Sequence, residues 1–301
     1  MSDSASPETP SEGSRLLIVG CGYVGKRVAA LATAAGYEVF ALTRGESRCS
    51  ELRSAGCEPI VGSWHSPETL RGLHAVDKVL VAIPHREESE LGEETHAVGL
   101  SQLRSAVEAQ TSPGKVACRW IYLSTTGVFG ECDGEVLNED SPVSPTRIGP
   151  RIAVAAERWL AANLATDSTT IRLAGIYGPD RIPLAAKLRA GEPLSVPLSG
   201  YLNLVHVDDI SQVVLHAFEH PLAGSTYLLS DGQPVMRREF YEELARLCGV
   251  STPRFTEPAE GDAKSRRATS KRIDPSRIVA ETGYHFSYPS YREGLPQSLG
   301  L

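Results

Sequence analysis

No stretch of this sequence is long and apolar enough to cross a bilayer. Its longest aliphatic runs, LLIV at 16–19 and VLVAI at 79–83, are strand-length and far short of the ~18 residues that a membrane span needs. Positive charge is not in excess either. Thirty Lys and Arg face 37 Asp and Glu, for a net charge of -7 at pH 7. That balance excludes nonspecific binding to nucleic acid or to an anionic membrane surface, while leaving room for a local basic pocket. The opening MSDSASPETPSEGS lacks the basic segment and apolar core of a signal peptide, and it lacks transit-peptide character. Its composition reads as a disordered tail over residues 1–14. Six cysteines, at 21, 49, 57, 118, 132 and 248, show no paired ligand spacing. Their scatter fits reduced thiols in a cytoplasmic protein, and no metal site is expected. No internal repeat is present. What remains is an ordinary globular composition, 41% hydrophobic and 22% charged over 301 residues, enough for one large domain or two smaller ones.

Aliphatic runs alternate with segments of helical period through the first two thirds. RLLIVG, YEVFALTR, PIVG, KVLVAIP and RWIYLST read as strands. Between them KRVAALATAA, SELRSAG, PETLRGL and a segment at about 93–110 read as helices, with Gly36 suited to close the first. This alternation predicts right-handed βαβ units and a doubly wound, Rossmann-type α/β fold with a parallel sheet covered on both faces. TTIRLAGIYG, LNLVHV and STYLLS are expected to extend the sheet, with a helix near 209–219. After about residue 231 the character changes to a helix at 237–248, a basic stretch KSRRATSKR and a short helix near 274–283. The dinucleotide-binding domain is accordingly placed at 15–178 and 203–230. A smaller discontinuous substrate-capping domain is placed at 179–202 and 231–301.

The chemistry starts at LLIVGCGYVGKRVA. Gly20, Gly22 and Gly25 hold the GxGxxG spacing directly after a strand and at the opening of a helix, a context that gives the pattern its force. Gly20 permits the tight turn, Gly22 lets backbone approach a pyrophosphate, and Gly25 allows helix to pack on strand. The helix N-terminus supplies unpaired N–H groups and the positive end of its dipole to an anion. An NAD site places an acid about 20 residues on, at the end of the second strand. Here the strand ends FALTRGESR, with Thr43 and Arg44 in the acid's place. The guanidinium fork suits a 2′-phosphate, so NADP is favoured, with NAD as the alternative and Glu46 as the competing ribose contact.

A different absence marks residues 143–160, VSPTRIGPRIAVAAERWL. This segment offers two arginines and no tyrosine or lysine. Ile152, Ala155, Ala156, Trp159 and Leu160 follow helical spacing and predict a buried stripe, with Pro150 in the first turn. Arg147 and Arg151 fall on the loop and first turn. There a guanidinium either meets a substrate carboxylate or phosphate, or stands exposed. His85 follows the fourth strand at the sheet's carboxyl edge, where ligands of such folds bind and where an imidazole can exchange a proton near neutral pH. Tyr177 and His206 read as structural, with Asp208 and Asp209 as caps of the following helix.

These residues resemble the extended short-chain dehydrogenase/reductase superfamily, in its NAD-dependent epimerase/dehydratase group. The resemblance runs from about residue 15 to 298 and is carried by YLSTTGVFG, NEDSPVSPTR, RLAGIYGP, NLVHVDDISQVV and the tail SKRIDPSRIVAETGYHFSYPSYREGL. It implies Thr125 as the family's catalytic Ser/Thr. It also adds Tyr23, Val24, Ala82, Ile83, Pro84 and Ser124 to the cofactor-binding set. The family's Tyr-x-x-x-Lys falls on Gly149 and Ala153, counted back from Glu157, so both ionisable groups are missing. The implied activity is that of an NAD(P)-binding oxidoreductase or epimerase/dehydratase acting on a nucleotide-sugar or similar polar, anionic small molecule. The competing expectation is a non-catalytic NADP(H)-binding sensor or regulator. Thr125 and His85 are the candidate catalytic residues, Arg147 and Arg151 the candidate substrate-binding ones, and a homodimer is a candidate assembly.

Overall fold

The computed structural model describes residues 13–86, 90–111, 117–130, 132–198, 200–220, 222, 226–256 and 270–301. The first half of the chain lays down β1 (Arg15–Val19), α1 (Tyr23–Ala34), β2 (Glu38–Thr43), α2 (Cys49–Ser54), β3 (Cys57–Val61), β4 (Lys78–Val81), α3 (Thr95–Glu108) and β5 (Arg119–Thr125). Then come β6 (Asp133–Leu137), α4 (Ile148–Asn163), β7 (Ser168–Leu173), β8 (Gly175–Tyr177), α5 (Ala185–Arg189), β9 (Leu194–Ser195), β10 (Tyr201–Leu202), β11 (Leu204–His206) and α6 (Val207–Glu219). The last stretch holds β12 (Thr226–Leu229), β13 (Val235–Met236), α7 (Arg237–Cys248), β14 (Phe255–Thr256), β15 (Ser270–Ile273), α8 (Ser276–Thr282) and α9 (Tyr291–Leu299).

Seven strands form the central sheet in the order β12-β7-β5-β4-β1-β2-β3. The pairings from β3 through β5 are all parallel. That order, reversing direction of growth at β1, is the doubly wound Rossmann-type fold that the βαβ alternation predicts. Alternate residues of β1 face opposite layers. Leu17 and Val19 join Leu100, Leu103 and Val107 of α3 and Ala156 and Leu160 of α4 in one apolar cluster. Ile18 faces the other way, toward α1, where Gly25 brings the helix close.

Two compact units divide the residues: 1–123, 152–170 and 211–225 in the first, and 124–151, 171–210 and 226–301 in the second. The second has its own apolar cluster, in which Phe240, Tyr241 and Leu244 of α7 and Leu295 of α9 pack with Leu188, Leu194 and Tyr177. In the first, Lys78 is buried and donates to Tyr37 Oη at 2.6 Å and Glu219 Oε1 at 2.7 Å. Burial holds its pKa down to about 8. Among the described residues, no helix is long and apolar enough to cross a membrane.

Several local expectations change. TTIRLAGIYG is two strands, because the chain leaves the main sheet after Leu173 and Gly175 donates its N–H to the Asn203 carbonyl instead. β8 then pairs with β11, so LNLVHV does not extend the central sheet. PETLRGL makes only a 3-10 turn, Pro67–Leu70. Residues 1–12 of the expected tail, and 264–269 of the basic stretch, lie outside the described residues. Ser14 is buried, and its carbonyl accepts the Glu38 N–H. Residues 270–272 of the basic stretch lie in β15, which pairs with β6.

Candidate functional site

The glycine turn is set by three different local demands. Gly20 has φ +99°, and a β-carbon there would lie 2.6 Å from the Ala82 carbonyl oxygen, so only glycine fits. At Gly25 a β-carbon would lie 2.5 Å from the Gly20 carbonyl oxygen and 3.2 Å from Ile18 Cγ2. At Gly22 it would meet nothing within 4 Å. The space over Gly22 is therefore open, at the N-terminus of a twelve-residue helix with no acidic side chain in its first turn. A helix start of this kind offers an anion its first-turn N–H groups and the positive end of its dipole, with no carboxylate in that turn to oppose it. Val24 is buried under the turn and Tyr23 is half-buried, with Arg27 over its ring at 4.3 Å.

At the end of β2, Thr43 is buried and its hydroxyl donates to the Gly45 carbonyl at 3.4 Å, while Arg44 is exposed. Arg48, which the sequence reading did not single out, donates through Nη2 to the Cys21 carbonyl at 2.9 Å. A guanidinium thus reaches the glycine turn itself. Ala82 and Ile83 are half-buried after β4, and Pro84 is exposed.

In the second unit the residues around Thr125 make a separate, basic cluster. Ser124 is buried, and Thr125 Oγ1 accepts the Gly127 N–H at 3.0 Å, capping the 3-10 turn Thr126–Phe129. That hydroxyl keeps its own proton to donate. Arg147 Nη2 lies 3.4 Å from where a Gly127 β-carbon would sit, and Pro150 Cγ at 3.0 Å. Lys271 is buried behind the turn and donates to the Thr126 carbonyl at 2.9 Å and to Gly130 at 3.3 Å. Burial first, and then the Arg147 charge, bring its pKa down to about 8. Arg151 is exposed, with Nε 3.5 Å from the Pro145 carbonyl.

The helix α4 is explained by packing. Ile152, Ala156 and Leu160 are buried as the spacing predicts, and Ala153 joins them at 0% exposure. A lysine at 153 would start from a fully buried position. Gly149 is half-buried in the first turn.

His85, half-buried after β4, belongs to a cluster of rings in the first unit. Its Nε2 lies 3.0 Å from Tyr122 Oη, and His96 Nδ1 lies 2.9 Å from the same oxygen. The two imidazoles stack at 5.0 Å between centroids, and Trp64 meets His96 edge-on at 5.0 Å. Tyr122 and His96 were not legible as site residues. Tyr122 sits in an apolar strand run and His96 in an ordinary helix start.

Tyr177 and His206 are structural, as read. Tyr177 is buried with its hydroxyl 3.3 Å from the Ser290 carbonyl, and His206 Nε2 is 3.0 Å from Gln297 Oε1. Asp209 differs from the capping role expected. Its buried carboxylate accepts from Tyr284 Oη and the Ser287 and Tyr288 N–H groups, tying down the tail. Among the described residues no group of three or more His, Cys, Asp or Glu is placed to hold a metal ion.

The glycine turn on the first parallel strand, with the Ser-Thr-Thr-Gly turn after the fifth, defines a dinucleotide-binding protein of the doubly wound class. The chain belongs to the NAD dependent epimerase/dehydratase family, whose model matches residues 16–229. It is 27% identical over 280 residues to the protein YeeZ of Escherichia coli K12, covering 91% of this chain and 96% of that one. It is also 27% identical over 256 residues to a sterol-4-alpha-carboxylate 3-dehydrogenase, decarboxylating, of Dictyostelium discoideum, covering 77% of this chain and 76% of that one. Among solved structures, a functionally unknown conserved protein from Silicibacter pomeroyi superposes with a TM-score of 0.79 at 26% identity, covering 95% of this chain and 98% of that one.

Proposed function

We propose that this protein is an NADP(H)-binding oxidoreductase of its family acting on a nucleotide-sugar or similar polar, anionic small molecule. The observation that carries the reading is the open space over Gly22 at the N-terminus of α1, with the exposed Arg44 directly after β2. A dinucleotide pyrophosphate fits that cradle, since Gly20 and Gly25 close the turn and the helix supplies its N–H groups. Arg44, with Arg48 beside the turn, suits the charge of a 2′-phosphate. The bound dinucleotide supplies the hydride donor or acceptor. The chain's own residues then have three tasks. Thr125 donates a hydrogen bond to a substrate oxygen through the proton that capping leaves it. Arg147 and Arg151 hold an anionic group of the substrate. His85 exchanges the proton that the missing tyrosine would have handled. A relative named as a dehydrogenase of a sterol carboxylate supports an oxidoreductase with an anionic substrate.

A second reading, a sensor that binds NADP(H) without turnover, is favoured by one observation: Ala153 is fully buried and Gly149 carries no side chain. The two readings separate in one experiment. NADPH binding is measured by calorimetry, followed by absorbance at 340 nm against a panel of UDP- and dTDP-4-keto sugars and keto acids. Binding with turnover supports the enzyme, and binding without any turnover supports the sensor. No binding of either NADPH or NADH rejects both.

A further inference from the structure

Lys26, Glu51 and Arg48 form a chain of charges beside the glycine turn, and the proposed function uses only its last member. Arg48 stands just before α2, in the segment that follows β2. Its Nη2 nevertheless donates to the carbonyl of Cys21, in the turn that follows β1, at 2.9 Å. Its Nε donates to Glu51 Oε2 at 3.1 Å. Glu51 Oε1 accepts from Nζ of Lys26, one turn into α1. Donor and acceptor roles are fixed here, because guanidinium and ammonium only donate while carbonyl and carboxylate only accept. Hydrogen bonds from Lys26 first, and then from Arg48, hold the Glu51 carboxyl below its usual pKa, so it is charged at neutral pH.

The placement of Arg48 suits it to a cofactor phosphate. β1 and β2 are paired in parallel, so their carboxyl ends share one edge of the sheet. The Arg48 side chain runs from the end of one strand to the turn after the other, where a doubly wound fold holds the adenosine ribose of a dinucleotide. Its guanidinium is tied at Nε and Nη2, while the two N–H groups of Nη1 have no partner among the described residues. The Arg48 and Glu51 side chains are 39% and 48% exposed, open to a ligand.

We propose that Glu51 is a specificity-determining residue whose carboxylate offsets the Arg48 charge and so limits the preference for a 2′-phosphate over a 2′-hydroxyl. A 2′-phosphate on Arg48 shares one guanidinium with that carboxylate, two hydrogen-bond lengths or about 6 Å away. In a water-like dielectric, like charges at that separation cost about threefold in affinity per unit of phosphate charge. The Nε contact gives little in return, because exposed ion pairs contribute little, and the Cys21 carbonyl still holds the guanidinium without it. Repulsion outweighs support, so the acid acts as a brake. Glu51 works through Arg48 and touches no reacting atom. The inference rests on the NADP(H) site of the proposed function and adds what tunes its selectivity.

The test is calorimetric titration of the full chain with NADPH and with NADH at low ionic strength, where exposed charges are least screened. In Glu51→Gln the ratio of NADPH to NADH affinity should rise about threefold or more over the wild type, and in Arg48→Met it should fall by a similar factor. A ratio that stays in place or drops in Glu51→Gln overturns the proposal, as does an unmoved ratio in Arg48→Met. A merely structural role for Glu51 would shift both affinities together and leave their ratio unchanged. Both substitutions are at partly exposed side chains, and Glu51→Gln keeps the shape while removing the charge. Failure of the cofactor reading shows in the wild type alone, as NADH bound as tightly as NADPH. The Glu51 claim is then still decided by the direction in which the ratio moves. Binding of neither dinucleotide by the wild type overturns both.

Discussion

A β-carbon on Gly25 would sit 2.5 Å from the carbonyl oxygen of Gly20, so α1 rests against β1 only because residue 25 has no side chain. Gly22, three residues before it, has nothing within 4 Å of that position. The two glycines serve different ends, one packing and one access. Gly25→Ala should therefore destabilise the fold by about 1–3 kcal/mol through overpacking, read as a lowered midpoint of urea unfolding. Gly22→Val should leave that midpoint nearly in place and abolish NADPH binding in calorimetry. Unchanged NADPH affinity in a folded Gly22→Val chain rejects the cradle.

In the proposed function Arg44 sets the choice between the two cofactors. A hydrogen bond to a charged group contributes about 1.5–3 kcal/mol, equivalent to roughly ten- to a hundredfold in affinity. NADPH should bind tighter than NADH by that factor, and Arg44→Ala should remove most of the difference. Equal affinities in the wild type would sink the assignment.

The buried carboxylate of Asp231 makes stability depend on pH. It is 7% exposed, and Oδ2 has no hydrogen-bond partner among the described residues. Burial, with the Asp209 and Glu293 charges behind it, raises the pKa from 3.8 to about 7. The native state then holds a proton that the unfolded chain has released between those two values. Stability is present in full below about pH 4 and is lost as pH rises through 7. Asp231→Asn removes the effect. Urea unfolding should show the variant gaining on the wild type across that window, by up to roughly 4 kcal/mol at pH 8. Parallel pH curves for the two proteins would contradict it.

Arg151 stands exposed at the start of α4, and the buried face of that helix is entirely apolar. In the proposed function the segment recognises an anion and supplies no proton. Arg151→Ala should weaken an anionic substrate several-fold in KM and leave NADPH affinity and the kinetic pKa values in place. Loss of a kinetic pKa in Arg151→Ala alone, with KM unchanged, would show that the segment carries chemistry.

The sequence by itself determined what depends on neighbours along the chain. Gly20 needs φ +99° within a three-residue turn, β1 and α1 are written in periods of two and 3.6, and α7 begins and ends at the residues its pattern marks. The resemblance to the family, with its register taken from Glu157, exposed the absence at Gly149 and Ala153. Only the tertiary structure decided where a residue is needed by one far from it. Lys271 looked like one cation in a basic stretch, yet it is buried on the Thr126 carbonyl, 145 residues away. Asp209 looked like a helix cap and instead holds a loop 75 to 79 residues on. His96 and Tyr122, 26 residues apart, carry no signal because either residue alone is ordinary in a helix or a strand. Their meaning arises when two elements of the fold bring one hydroxyl between two imidazoles, and desolvation there favours the neutral forms of His96 and Tyr122.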